Sequence, residues 1–262
     1  RLWFTVGALI IYRLGTYLPL PGIDPNALAD IFSQQSSGIL GMFDMFSGGA
    51  LGRMTIFALN IMPYITASII MQLMTAIVPS LESLKKDGEA GRKMINQYTR
   101  YLTVLLATVQ GYGMAVGLES ASGVVNDPGL FFRVTTVVTL VGGTLFLMWL
   151  GEQITSRGVG NGISLIIFAG IVANLPTALA GTLELGRTGA LSSLLIVLLL
   201  AMAVAVVAFI VFIERSVRKI LVQYPKRQHG NKVFGGDQSF LPLKINVPGV
   251  IPPIFASSLL LM

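Results

Sequence analysis

Long apolar runs alternate along the chain with short polar or basic segments. A helix needs about 20 apolar residues to cross a hydrocarbon core of roughly 30 Å. Counting such runs predicts spans over 2–20, 54–78, 101–118, 134–150, 163–183 and 191–213, the last without a single charge. A seventh run starts near 247 and is still apolar at residue 262. The pattern predicts an all-α integral membrane protein, a polytopic helical bundle with about six and a half spans present. Because the chain stops inside an apolar run, it reads as part of a longer polypeptide. The first run lacks a small-residue cleavage site and passes directly into Pro19-Leu20-Pro21-Gly22, so it reads as a span rather than a signal peptide.

Composition supports this and removes other classes. Hydrophobic residues make up 53% of the chain, charged residues only 11%, and the mean hydropathy is +0.76. Soluble domains carry about 25% charged residues, so neither an ordinary globule nor a disordered chain fits. Cysteine is absent and His229 is the only histidine. That excludes a thiolate site or a disulfide framework and leaves almost no room for a histidine-built zinc site. No Walker A loop, HExxH or GxSxG is present. Ser83-Leu84-Lys85-Lys86 matches S-x-x-K, but it lies among loop charges. No catalytic residue, metal or cofactor is expected.

The net charge of +6 resolves by side. Arg1, 82–100, 152–157 and 214–244 hold 14 Lys and Arg against 6 acids, a net +8; the alternate segments hold 4 against 6, a net −2. Positive charge stays cytoplasmic, so the basic loops are expected in the cytoplasm. Topology then accounts for the basic pI without a nucleic-acid partner.

Two spans are poor as lipid-facing helices. The second contains Asn60, Pro63 and Gln72. The fifth begins Gly158-Val159-Gly160-Asn161-Gly162 and carries Asn174 and Pro176. Interhelical hydrogen bonds explain a single amide in a span. Two Gly/Pro-interrupted, amide-bearing spans are better explained by the lining of a pathway. Gly113 with Gly117, and Gly142-Gly143, suggest close helix packing. Between the first two spans, Gly38–Leu51 is too short and Gly-rich to span yet apolar through Met42, Phe43, Met45 and Phe46. It suits either an interfacial amphipathic segment or a short helix tucked into the protein, with Gly48-Gly49 as a hinge. The basic stretch 214–246 suits either a topological anchor or a docking loop for an anionic partner.

Several stretches carry a resemblance to a known family. They are Phe46-Ser47-Gly48-Gly49-Ala50-Leu51, 60–68, Asn96-Gln97-Tyr98-Thr99-Arg100-Tyr101, Met148-Trp149-Leu150-Gly151-Glu152-Gln153-Ile154-Thr155, 158–173, 224–230, Leu241-Pro242-Leu243-Lys244 and 249–258. In this order they resemble the SecY family, the channel subunits of the bacterial protein translocase. The resemblance implies ten spans in two inverted five-helix halves, with 1–183 as the first half and 184–262 the start of the second. It implies an hourglass pore with a waist ring at Ile61, Ile65, Ile163, Ile167 and Ile254. A plug at about 42–54 would include Phe43, Phe46, Gly48, Gly49 and Leu51. Gln72 and Asn161 would be polar positions below the waist, and the second, third and seventh spans would form a lateral gate. Lys226, Arg227, Gln228 and His229 would lie on the loop where the motor ATPase SecA or the ribosome docks. Implied partners are SecE, SecG, signal sequences, nascent chains and membrane lipids, with no cofactor. The implied function is translocation of unfolded secretory proteins across, and insertion of membrane proteins into, the inner (cytoplasmic) membrane. A secondary transporter for a small solute, or a membrane scaffold, are the competing classes.

Overall fold

A computed structural model describes residues 1–24, 27–28, 44, 47–121, 123–189, 191–223, 227–229, 232–234 and 238–246. These form two compact units, Arg1–Leu179 and Ala180–Met262.

The first unit contains α1 (Leu2–Gly15), α2 (Met62–Ile77), α3 (Pro79–Lys86), α4 (Glu89–Ser120), α5 (Leu130–Arg157) and α6 (Gly162–Ala173). Helix α7 (Leu175–Arg187) follows and runs on into the second unit. Among the described residues, α4, α5, α6 with α7, and α8 (Ser193–Arg215) are long and apolar enough to cross a membrane; the bent pair α2–α3 makes a fifth if taken as one span. The seventh apolar run lies outside the described residues.

Helices α4 and α5 pack side by side and are joined at both ends. Arg100 and Glu152 pair at 2.6 Å near one end, and Arg133 and Glu119 pair at 2.6 Å near the other. Between these charges each helix has an uncharged stretch, 101–118 and 134–151. Eighteen residues at 1.5 Å each give about 27 Å, the thickness of a hydrocarbon core. The pairs therefore fix the register of the two helices where a charge can still reach the interface. Gly111 provides the close approach, its Cβ position facing Leu140 and Val137. Gly113 and Gly117 have nothing within 4 Å of a Cβ, so the expected small-residue contact there is not made among the described residues.

The second expected span needs correction. Its helix starts at Met62 and not at Met54. Residues 50–61 instead form successive turns, with Ala58 N–H donating to the Thr55 carbonyl, Asn60 to Phe57 and Met62 to Leu59. Asn60 adopts φ +49, which breaks helical continuity, and Pro63 sits in the first turn, where its missing N–H costs no bond. Two further backbone bonds, Ile56 N–H to Leu18 and Leu20 N–H to Met54, satisfy groups that apolar surroundings would otherwise strand. At the other end Val78, extended before Pro79, stops α2, and α3 leaves at 98°.

In the second unit α8 leads into strand β1 (Val217–Gln223), which pairs antiparallel with β4 (Gln238–Lys244); β2 (Arg227–His229) pairs with β3 (Lys232–Phe234). The long basic loop is thus largely a hairpin ladder, with Asn246 donating to Glu214 at 2.7 Å across its base. The Val/Ile/Leu-rich run 217–223, followed by Tyr224-Pro225, was the available sequence signal.

Candidate functional site: an isoleucine cluster and the segment beside it

Four of the five expected ring residues converge. Ile61 is fully buried, in a cluster with Ala8 and Tyr12 of α1, Ala50 and Phe57 of the turn segment, Leu147, Leu150 and Ile154 of α5, and Ile166 of α6. Ile65, Ile163 and Ile167 are half-buried and pack against that same cluster. Ile254 lies outside the described residues.

Local rules place these side chains. Ile61 ends the turn segment and Ile65 is one turn into α2, so both share a face. Gln72 lies on that face too, about 10 Å further along α2, and is exposed. Asn161 caps α6: its carboxamide oxygen accepts from Ile163 N–H at 3.0 Å and Ser164 N–H at 3.4 Å. Asn161 is exposed, yet this bond is a structural duty that sequence reading did not assign. The hairpin between α5 and α6 is closed by Thr155, whose hydroxyl donates to Gly151 and accepts from Gly162 N–H. A Cβ at Gly162 would collide with the Gly151 carbonyl, so only glycine allows Ile163 to sit this close to α5. Thr5 of α1 accepts from Val159 N–H and ties the same turn to the first helix.

Beside the isoleucines lies the segment expected as a plug. Phe43 and Phe46 are outside the described residues. Gly48 is buried with its Cβ position 3.1 Å from Gly170 of α6, Gly49 is half-buried, and Leu51 belongs to a second apolar cluster with Leu20, Met54, Leu140 and others. Asp44 organises the turn: its carboxylate accepts from Gly52 N–H at 2.6 Å and lies 3.3 Å from the Ser47 hydroxyl. Phe57 stacks between Tyr12 (centroids 6.2 Å apart) and Phe146 (5.9 Å), wedged against Gly15 and Gly143. Sequence reading missed Tyr12, Phe57 and Arg13. Arg13 was visible as a charge inside an apolar run; nothing signalled the two aromatics.

Of the docking residues, Lys226 lies outside the described residues. Arg227, Gln228 and His229 form β2, opposite Phe234, Val233 and Lys232.

The SecY family model matches residues 55–262. The chain belongs to the SecY family. Relatives at high identity agree. The protein translocase subunit SecY of Rickettsia bellii is 60% identical over 265 residues, and that of Escherichia coli K12 is 55% identical over 264. Each match covers all of this chain but only 61% and 60% of the relative, so the chain spans about three fifths of the length of these SecY proteins. Two solved structures share the fold. A protein-conducting channel matches with a TM-score of 0.65 at 19% identity, over 98% of this chain and 55% of that one. Sec61 from a canine ribosome–channel complex matches with a TM-score of 0.67 at 17% identity, over 98% and 56%. A SecY-family bundle with several apolar spans is a multi-pass membrane protein.

Proposed function

We propose that this chain forms the first half, residues 1–183, and the start of the second half of a channel that conducts unfolded proteins across the cytoplasmic membrane and releases apolar segments into it. The observation that carries the reading is the meeting of Ile61, Ile65, Ile163 and Ile167 with Ala50 of the plug segment in one apolar cluster. Such a waist stays dry, so ions meet a dehydration barrier while the channel is idle. Isoleucine side chains offer no hydrogen bond to a sliding chain. Signal sequences are apolar helices that shift the equilibrium only by favouring the open state.

The test is single-channel conductance of the full-length protein lacking residues 44–52. A channel closed by this segment conducts ions when it is removed. A small-solute carrier or a scaffold stays silent.

Orientation and docking share one measurement. The charge asymmetry supports a cytoplasmic β1–β4 hairpin, and its basic residues fit an anionic face of SecA or the ribosome; SecE and SecG would complete the assembly. A cysteine at Gln228 should resist an impermeant reagent in intact cells and react in inverted vesicles, where added SecA shields it. Lys226→Glu with Arg227→Glu should reduce that shielding several-fold at unchanged abundance. The loss should be smaller at high salt, since exposed charges are screened over about 8 Å at physiological ionic strength. Labelling from outside would reverse the topology; unchanged shielding would leave the charges as a topological anchor only.

A further inference from the structure

Three contacts join the end of α1 to residues 47–53. The Tyr12 phenol donates to the Ser47 carbonyl at 3.4 Å. Arg13 Nη1 donates to the Gly48 carbonyl at 2.8 Å. The Arg53 guanidinium lies over the Tyr17 ring, 4.3 Å from its centroid. Arg13 lies 5.0 Å from the same ring and donates to its hydroxyl at 3.1 Å. The two arginines also share the Gly48 carbonyl, to which Arg53 Nη2 donates at 3.1 Å, and Arg53 Nε donates to the Gly49 carbonyl at 2.9 Å. Both glycines have left-handed φ, +68 and +82, a backbone conformation that any other residue would adopt only under strain.

Among the described residues neither Arg13 nor Arg53 forms an ion pair, and the Asp44 carboxylate is engaged with Gly52 and Ser47. Two like charges held on one ring and one carbonyl attract their shared acceptors but repel each other. Charge-assisted bonds and cation–π contacts hold the arrangement; the repulsion keeps it releasable. Arg53 travels with the segment, whereas Arg13 and Tyr17 belong to the α1 side. Movement of 47–53 therefore has to separate Arg13 from Gly48 and Arg53 from Tyr17.

We propose that Arg13, Tyr17 and Arg53 are positioning residues for the plug, forming a guanidinium–aromatic latch that holds residues 47–53 against the end of α1 in the idle channel. This rests on reading the segment as the plug. The test is idle conductance of the full-length protein in planar bilayers, with melting temperature and abundance measured alongside. Arg13→Gln combined with Arg53→Gln should raise open probability about tenfold, equivalent to about 1.4 kcal/mol, and more than either single change. Tyr17→Leu removes the shared ring from a largely exposed position and should also leak, at wild-type melting temperature. Arg53→Lys keeps the charge but loses the planar fork, and should leak less than Arg53→Gln. Wild-type conductance in the double variant, while deletion of 44–52 conducts, overturns the latch and leaves the plug standing. A leak that follows lost melting temperature, with Tyr17→Leu silent, also overturns it. Silence of the deletion itself removes the plug reading and the latch together.

Discussion

Gly143→Ala is expected to destabilise the full-length protein in detergent, while Gly142→Ala, one residue earlier on the same helix, leaves it unchanged. A Cβ on Gly143 would collide with the Ile56 carbonyl oxygen and press on Phe57; one on Gly142 meets nothing within 4 Å. The obstacle is backbone, and that backbone is held. Ile56 N–H donates to Leu18 at 3.0 Å, and the neighbouring Phe57 ring is clamped between Tyr12 and Phe146. Relief on the other side is blocked because Phe57 already abuts Gly15. Inserting bulk into such a site costs about 1–3 kcal/mol, and Gly143→Leu should prevent accumulation of folded protein. The Gly142 change should stay within about 0.5 kcal/mol. Thermal unfolding of both variants decides it. Equal melting temperatures would mean that the 50–61 segment yields freely and does not depend on contact with α5.

Ile65→Asn and Ile167→Asn are expected to leave the fold intact and to make the idle channel leak. Both side chains are half-buried on the edge of the isoleucine cluster. If these isoleucines line the waist as proposed, an amide there offers water a partner where isoleucine offers none, so the waist wets and its barrier to ions falls. A bias of 1.4 kcal/mol towards the open state is tenfold in population, and leak should rise by about that factor. Defective signal sequences should pass more readily, because less of their binding energy is needed to open the channel. Ile61→Asn should behave differently. Ile61 is 0% exposed within the cluster, so its amide would be stranded at a cost of about 1–3 kcal/mol, and the variant should lose stability first. Conductance in planar bilayers, with melting temperature and translocation of a defective-signal substrate, separates the cases. Unchanged leak and unchanged signal selectivity at both 65 and 167 would make these isoleucines ordinary packing.

Parts of the candidate site were legible along the chain, but not its framework. Ile61 and Ile65, and Ile163 and Ile167, stand at helical spacing within spans interrupted by Asn60, Pro63 and Asn161. Their meeting was reached through family resemblance and not from spacing. The role of Asn161 as a cap follows from its place before a helix, yet its amide read as a lone polar group. Gly142-Gly143 was visible as a small pair, but only one of the two makes a contact, and with a turn segment rather than a helix. Gly113 and Gly117 looked equally suitable and make none among the described residues. A small residue permits a close approach; it does not say what approaches.

What the sequence determined by itself is what depends on sums over neighbouring residues. Transfer of apolar surface and segregation of charge are local and nearly additive, so the runs of apolar residues and the asymmetry between +8 and −2 could be read without a structure. The start of α2 at Met62, the turns of 50–61, the pinning of Phe57 and the arginine contacts were decided only by tertiary structure. Arg13 meets Gly48 across 35 positions and Gly143 meets Ile56 across 87. At such separations, which pair forms depends on how every intervening helix is packed. Between 50 and 61 the same apolar residues serve equally well as helix or as turns. There the choice falls to whichever arrangement satisfies the backbone, and it is Leu18 and Leu20 of a distant segment that supply the partners.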